Sequence, residues 1–138
     1  MFLKTKPYNG MMDLLNEFNK RFIPVNVLSN KPHAETVKIV SKIFNDIKFE
    51  SIKGAKIEIP IKPDPVQALM ISKELNISTE HFLYVGDTGV DMKTAKNAGM
   101  FGVGVLWGFR EKKELEENGA KAIVDCPEDL LNFFKTKS

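Results

Sequence analysis

Hydrophobic positions along the chain follow two alternating periods. In residues 10–21 they stand three and four positions apart, which predicts an amphipathic helix with one face against a core. A short apolar run rich in β-branched residues follows at 23–28 and stops at Ser29-Asn30, as a strand does where it ends in a polar loop. The chain is therefore predicted to open with a helix followed by a strand.

The same alternation continues toward the carboxyl terminus. Further strands are predicted at 82–85, 101–106 and 122–124, with weaker extended segments at 49–53 and 56–60. Helices are predicted from Pro32 to the Asn45-Asp46 pair, from Pro65 to Asn76, and at 92–98, 111–118 and 127–134. Strands that alternate with helices at this spacing form right-handed βαβ units, so we expect an α/β fold with a parallel sheet covered on both faces.

This predicted topology indicates where a ligand would bind. In sheets of this kind, ligands bind beyond the carboxyl ends of the strands. Two of the clearest strands end at Ser29-Asn30 and at Gly86-Asp87. The polar residues of these two loops are therefore the first candidates for a functional site.

Composition and charge narrow the class of protein. The chain has 138 residues, 43% of them hydrophobic and 28% charged, as is usual for one folded domain. Its net charge of +2 gives no electrostatic reason to expect nucleic acid or a membrane surface as a partner. The longest apolar stretch, 99–109, is short and broken by four glycines, so we expect no membrane span. A single cysteine, Cys126, favours a reducing compartment, which we interpret as the cytoplasm.

Two of the candidate motifs suit an anion. The Ser29-Asn30-Lys31 loop offers a hydroxyl and several backbone N–H groups, although Ser and Asn also cap helices for structural reasons. Lys62 precedes Pro-Asp-Pro, a stiff turn that would hold its ammonium in one place beside a phosphoryl group. A solvated lysine beside a proline turn is the structural alternative.

The third motif, at residues 86–91, is the most specific. It places Asp87 and Asp91 four residues apart at a strand-to-helix turn, where both carboxylates can face one pocket. Hard oxygen ligands of this kind suit Mg²⁺, which keeps several waters and a substrate phosphate in its octahedron. The structural alternative is that both aspartates stabilise a helix amino terminus, and the two interpretations are compatible.

In this order, the three motifs resemble those of the haloacid dehalogenase-like phosphatases, most closely the phosphoglycolate phosphatase group. Residues 27–31 resemble the second motif of that family, residues 62–65 the third and residues 86–91 the fourth. Further similarity runs through 95–100, 104–109 and 119–120. The resemblance covers nearly the whole chain from about Pro7 onward.

The resemblance implies a Rossmann-like, doubly wound core and a Mg²⁺-dependent phosphatase that acts on a small phosphorylated metabolite. By this resemblance, Ser29 and the Asn30 amide bind the transferring phosphoryl group. Lys62 also binds it and is catalytic, because it neutralises the charge of the phosphoryl group and of the nucleophile.

The fourth motif is expected to hold the metal. The resemblance assigns Asp87 to Mg²⁺, with Asp91 and Thr88 in support around it. Asp91 would orient Lys62 or a metal-bound water.

One part of the family pattern is absent. The family nucleophile lies in an amino-terminal Asp-x-Asp-x-Thr motif, whose first Asp forms an aspartyl-phosphate, and this chain contains no Asp-x-Asp. By the resemblance, the first strand and the helical cap domain are also missing, and residues 1–9 are a remnant of the linker between cap and core. The whole chain, 1–138, is then a partial core domain and a fragment of a longer protein.

The missing strand is the centre of the family sheet, between the strands that end at Ser29 and Asp87. Its loss would expose two strand edges, so we expect re-pairing, a makeshift strand at residues 2–6, a homodimer or strand exchange to cover them.

Three functions follow from these observations. The leading one is a phosphatase that is active at full length and inactive as this chain alone. The second is a non-catalytic remnant that binds phosphate or Mg²⁺ as a regulatory domain. The third, a flavodoxin-like or receiver-like domain, fits poorly. Receiver domains carry acidic residues after the first strand, and this chain has no such pair there.

Overall fold

The structure, a computed structural model, describes residues 10–106 and 111–134. Helices and strands alternate along these residues, in the following order: α1 (Met11–Lys20), β1 (Asn26–Pro32), α2 (His33–Ile43), β2 (Ser51–Ala55), α3 (Val66–Leu75), β3 (Leu83–Gly86), α4 (Gly89–Ala98), β4 (Phe101–Val105), α5 (Lys112–Glu117) and β5 (Ala122–Val124). Two 3₁₀ helices, Thr79–His81 and Pro127–Phe134, complete the fold.

Every strand pair in the described residues is parallel. β1 pairs with β2, with Val27 opposite Ile52, and β3, β4 and β5 pair in that order, with Val85 opposite Val103. Parallel strands joined by helices confirm the predicted α/β class. Gly86-Asp87 lies at the carboxyl end of β3, as the sequence predicts, and Ser29-Asn30 lies in the carboxyl half of β1, directly after its regular pairing with β2 stops at Leu28.

The sheet is divided between β1 and β3. In the described part of the chain, β1 and β2 form one piece and β3, β4 and β5 form another. A cavity of about 300 Å³ lies between the two pieces, at the position predicted for the absent central strand. Its walls are mostly apolar and come from α1, β1, α3, β3 and the last 3₁₀ helix, through residues such as Leu15, Leu28, Ile71, Leu83 and Leu130. The proposed makeshift strand at residues 2–6 lies outside the described residues.

Two apolar clusters flank this division. The larger joins α1 to β4 and β5, and it includes Leu15, Phe18 and Val103. The smaller joins α3 and α4 and contains Leu28 from β1 together with Tyr84 from β3. The predicted apolar face of α1 is confirmed, because Met11, Leu14, Leu15 and Phe18 are all buried. Packing of helices on both strand pieces holds the carboxyl ends of β1 and β3 at one edge.

The structure adds to or corrects the sequence predictions in four places. Residues 56–60 form a turn rather than a strand, and the helix predicted at 127–134 is a 3₁₀ helix. The first strand begins at Asn26 rather than Ile23, because the Ile23 N–H closes the end of α1 on the Phe18 carbonyl and Pro24 has no N–H to donate. The same strand runs past the expected polar end to Pro32, with an irregular register after Leu28.

Helix ends follow the sequence more closely. α3 ends at Asn76 and α4 at Gly99, both with left-handed backbone angles that these residue types tolerate. In the described ranges, no helix combines the length and the apolar character needed to cross a membrane.

Candidate active site at the carboxyl ends of β1 and β3

A buried ion pair lies at the centre of the site. The Lys62 Nζ donates a hydrogen bond to Asp91 Oδ1 over 2.7 Å, and the two side chains are only 11% and 5% exposed. Lys62 Nζ also lies 3.5 Å from the carbonyl oxygen of Leu28, the residue before Ser29. The ammonium of Lys62 therefore bridges the end of β1 and the first turn of α4.

Asp91 is held charged by its neighbours. Burial opposes its charged form, but the Lys62 ammonium, through its charge and its hydrogen bond, and the Thr88 hydroxyl outweigh that penalty. Together they lower the pKa of Asp91 below its ordinary value of 3.8. The site thus contains a fixed carboxylate that keeps a cation beside it near neutral pH.

The loop after β3 wraps around the same carboxylate. Asp91 Oδ2 accepts hydrogen bonds from the Asp87 N–H over 3.3 Å and from the Thr88 hydroxyl over 3.1 Å. In return, the Asp91 N–H donates to Thr88 Oγ1, which caps α4. A Cβ at Gly86 would lie 2.3 Å from the Asp91 Cβ, so only glycine allows the strand to come this close. Asp91 lies in the first turn of α4, as the helix-stabilising interpretation expects, but the residue that caps the helix is Thr88 and not Asp87.

Asp87 is the residue that fits a metal. It is 2% exposed and directly follows β3, and its carboxylate is a hard oxygen donor. Mg²⁺ in proteins is held by one or two carboxylates, with waters and substrate phosphate as the remaining ligands. The nearby carboxylates of Asp91 and Glu114 accept hydrogen bonds from Lys62 and from the Gly89 N–H respectively. The donor set therefore fits Mg²⁺ through Asp87, and its metal-binding role stays a prediction.

Ser29 and Asn30 do not cap a helix. α2 begins at His33 and has no side-chain cap, so the structural alternative for this pair is wrong. The Ser29 hydroxyl is buried, and its oxygen accepts a hydrogen bond from the Lys31 N–H over 3.1 Å. This turn orients the hydroxyl at the end of β1, where phosphate binding by Ser29 remains a prediction.

The Asn30 side chain contacts the lysine motif instead of opening toward a ligand. Its Oδ1 accepts from the Lys62 N–H over 3.0 Å, and its Nδ2 donates to the Lys62 carbonyl over 3.3 Å. The structure thus brings Asn30, Lys62 and Asp91 into one connected set. Phosphate binding by the Asn30 amide remains a prediction.

Sequence reasoning missed two residues that contact these motifs. Asn97 Nδ2 donates to the Pro63 carbonyl over 3.0 Å, and Glu114 Oε2 accepts from the Gly89 N–H over 2.8 Å. Both lie at least 25 positions away in sequence from the groups they contact. The signals in the sequence were that each stands on a predicted helix and that Asn97 lies in the stretch 95–100, which resembles the family.

Comparison with known proteins identifies the class that this fold and site define. The site lies at the carboxyl edge of a parallel α/β core, and the profile of the haloacid dehalogenase-like hydrolases matches residues 2–105. The chain belongs to this family.

Individual relatives point to phosphatases within the family. Phosphoglycolate phosphatase 1 of Pseudomonas aeruginosa is 27% identical over 127 residues, which cover 92% of this chain and 47% of that protein. The N-acetylmuramic acid 6-phosphate phosphatase of the same organism is 26% identical over 93% of this chain and 57% of its own length. The chain therefore spans about half the length of the curated relatives it matches.

Solved structures of similar proteins share the fold of this chain. A candidate phosphoglycolate phosphatase from Lactobacillus delbrueckii subsp. bulgaricus superposes with a TM-score of 0.88 at 31% identity, over 96% of this chain and 55% of its own. A candidate β-phosphoglucomutase from Thermotoga maritima superposes with a TM-score of 0.81 at 25% identity, over 94% and 60% of the two chains. The Rossmann-like core and the phosphatase resemblance predicted from the motifs are confirmed at the level of the family.

Proposed function

We propose that this chain carries the phosphate-binding and metal-binding part of a Mg²⁺-dependent phosphatase of the phosphoglycolate phosphatase type. The observation that supports it most is the buried Lys62–Asp91 pair. This pair contacts the end of β1 through the Leu28 carbonyl and the loop after β3 through the Asp87 N–H. A fixed cation between a serine loop and a buried carboxylate is an arrangement suited to a phosphoryl group.

Each residue has a definite part in this proposal. The Lys62 ammonium neutralises the charge on the phosphoryl oxygens, and Asp91 keeps that ammonium in place. The Ser29 hydroxyl donates to a phosphoryl oxygen, with the Asn30 amide beside it. Asp87 holds Mg²⁺, which when bound neutralises phosphoryl charge and orients the substrate. Thr88 holds the loop that carries Asp87.

The chain alone is proposed to be inactive. A phosphatase of this family transfers the phosphoryl group to an aspartate, releases the alcohol, and hydrolyses the aspartyl-phosphate with water. This chain contains no Asp-x-Asp motif to receive the group. The nucleophile would therefore have to come from outside these 138 residues.

The substrate class follows from the relatives. Those compared above are named for phosphoglycolate and for N-acetylmuramic acid 6-phosphate, which are both phosphomonoesters of small metabolites. A net charge of +2 gives no reason to prefer nucleic acid or a membrane surface. We therefore propose a small phosphorylated metabolite as substrate and the cytoplasm, suggested by the single cysteine, as location.

A second candidate function is a non-catalytic domain that binds phosphate or Mg²⁺. The absence of Asp-x-Asp from the sequence favours it, because the binding residues are present without the nucleophile. It differs from the first proposal in one respect: adding the missing segment would not create turnover.

Hydrolysis of p-nitrophenyl phosphate with Mg²⁺ separates the two. The chain is compared with a version extended upstream through an Asp-x-Asp-x-Thr segment, and with the same extension carrying Asn at the first Asp. Activity in the first extension alone supports the phosphatase. Inactivity of every folded version supports the binding domain, and activity in the short chain would contradict the proposed nucleophile.

In the described residues, β1 and β3 each have one edge without a partner strand, and the cavity between these two edges has mostly apolar walls. We propose that a second copy of the chain, or strand exchange with it, covers the two edges. Sedimentation of the chain at increasing concentration tests this proposal. A concentration-dependent dimer supports it, and a stable monomer whose β1 and β3 edges are protected from exchange contradicts it.

A further inference from the structure

The backbone of Lys62 is held at both of its polar groups by one side chain. Asn30 Oδ1 accepts from the Lys62 N–H over 3.0 Å, and Asn30 Nδ2 donates to the Lys62 carbonyl over 3.3 Å. The two residues are 32 positions apart, so this double contact ties the end of β1 to the lysine turn. It uses both the acceptor and the donor of the Asn30 amide.

A second asparagine contacts the same turn from a helix. Asn97 lies on α4 and donates from Nδ2 to the carbonyl of Pro63, the residue after Lys62, over 3.0 Å. The same helix carries Asp91, which accepts the hydrogen bond from Lys62 Nζ. The lysine segment is therefore fixed to α4 at its ammonium and at its backbone.

We propose that Asn30 and Asn97 are positioning residues that place the Lys62 ammonium for phosphoryl binding. This inference rests on the proposed function and deepens it. Lysine has a long flexible side chain, and an ammonium reaches one fixed point reliably only if the backbone that carries it is fixed. The Asn30 side chain thus acts through the Lys62 backbone.

The chain contains a matched control for this contact. Asn19 makes the same double hydrogen bond to the backbone of Lys48: the Lys48 N–H donates to Asn19 Oδ1 over 2.8 Å, and Asn19 Nδ2 donates to the Lys48 carbonyl over 3.1 Å. Both asparagine contacts are exposed, but Asn19 lies on α1 and Lys48 makes its ion pair with Glu50, outside the candidate site. We therefore expect loss of the Asn19 contact to lower stability and to leave the geometry of the candidate site unchanged.

The first experiment follows the Lys62 ammonium directly by NMR of ¹⁵N-labelled lysine side chains, with Lys62→Arg used for assignment. In the folded Asn30→Ala and Asn97→Ala variants, we expect the Lys62 ammonium signal to shift or broaden. In Asn19→Ala it should stay where it is in the unmodified chain. An unchanged Lys62 signal in both Asn30→Ala and Asn97→Ala would overturn the proposal.

The second experiment measures binding of inorganic phosphate to the same proteins in the presence of Mg²⁺. Loss of one or two exposed hydrogen bonds should weaken binding about three- to tenfold in Asn30→Ala, and Asn19→Ala should bind normally. Equal weakening in Asn30→Ala and Asn19→Ala would contradict positioning and indicate general destabilisation. If the unmodified chain binds no phosphate while its Lys62 signal still depends on Asn30, the proposed function fails and the positioning role stands.

Discussion

Lys62 Nζ and Asp91 Oδ1 lie 2.7 Å apart, and both side chains are almost completely removed from solvent. Water can replace only a small part of what either partner contributes, so each charge depends on the other. This differs from the exposed pairs of the same chain, such as Lys113 with Glu117, whose side chains are 83% and 64% exposed. Exposed pairs of that kind contribute little to stability.

Removal of one partner should therefore cost more than removal of both. Lys62→Met leaves a buried carboxylate without its cation, and we expect the free energy of unfolding to fall by about 3 kcal/mol. The double variant Lys62→Met/Asp91→Leu should lose less than Lys62→Met does, because no buried charge remains. Urea denaturation of the variants checks this.

Lys113→Met is the control for that measurement. It removes the cation of an exposed pair, so the unfolding free energy should change little. A double variant less stable than Lys62→Met would contradict the proposed dependence of the two charges.

Stability should also depend on pH through Asp91. Its folded-state pKa is lowered below 3.8, so its contribution is fully present above that value and is lost as the pH falls through the lower, folded-state pKa. We expect urea midpoints to fall as the pH is reduced below about 4, and to fall less steeply in Asp91→Asn. The same acid dependence in Asp91→Asn and in the unmodified chain would assign the effect to other carboxylates.

Much of this arrangement could be predicted from the sequence, because it depends on local patterns. The β1 and β3 motifs precede helices within a few residues, so the parallel topology alone places Ser29 and Asp87 at one edge. The contacts of Asn30 with Lys62 could not be predicted, since an asparagine after a strand is equally suited to a cap or a ligand. Tertiary packing instead brings the Asn30 side chain against the Lys62 backbone.

The last 3₁₀ helix shows a feature that a local sequence pattern could not predict. Its apolar positions recur as they would in an α-helix, and residues 127–134 bury Pro127 and Leu130 against the core. A period read from eight residues cannot separate three from 3.6 residues per turn. The apolar face was therefore predictable, whereas the type of helix was not.

Glu114 on α5 should support the loop that carries Asp87. Its carboxylate accepts from the Gly89 N–H at the first turn of α4, close behind Asp87. A Cβ at Gly89 would lie 2.6 Å from Asn118 Nδ2, which indicates how closely α5 packs on this loop. We expect Glu114→Ala to cost about 1 kcal/mol, as the loss of a helix cap does, and to weaken Mg²⁺ binding.

The matched control for Glu114 lies one turn away on the same helix. Glu117 pairs only loosely with Lys113 at 3.9 Å, so Glu117→Ala removes the same charge without touching α4. Thermal unfolding and Mg²⁺ titration followed by calorimetry compare the two. If Glu114→Ala and Glu117→Ala weaken Mg²⁺ binding equally, the effect is one of net charge and the support by Glu114 is disproved.

Amide exchange should reveal the divided sheet. In the described residues, β4 has a strand on each side, whereas β1 and β3 each have a strand on one side and the cavity on the other. We expect β4 amides such as Val103 to exchange most slowly, and part of β1 and β3 to exchange faster because their cavity-facing groups lack a ladder partner. Hydrogen exchange followed by mass spectrometry measures this for each strand. In the extended version that carries the upstream segment, the amides of β1 and β3 should exchange as slowly as those of β4. If the segment restores activity while these amides still exchange fast, the segment does not occupy the cavity.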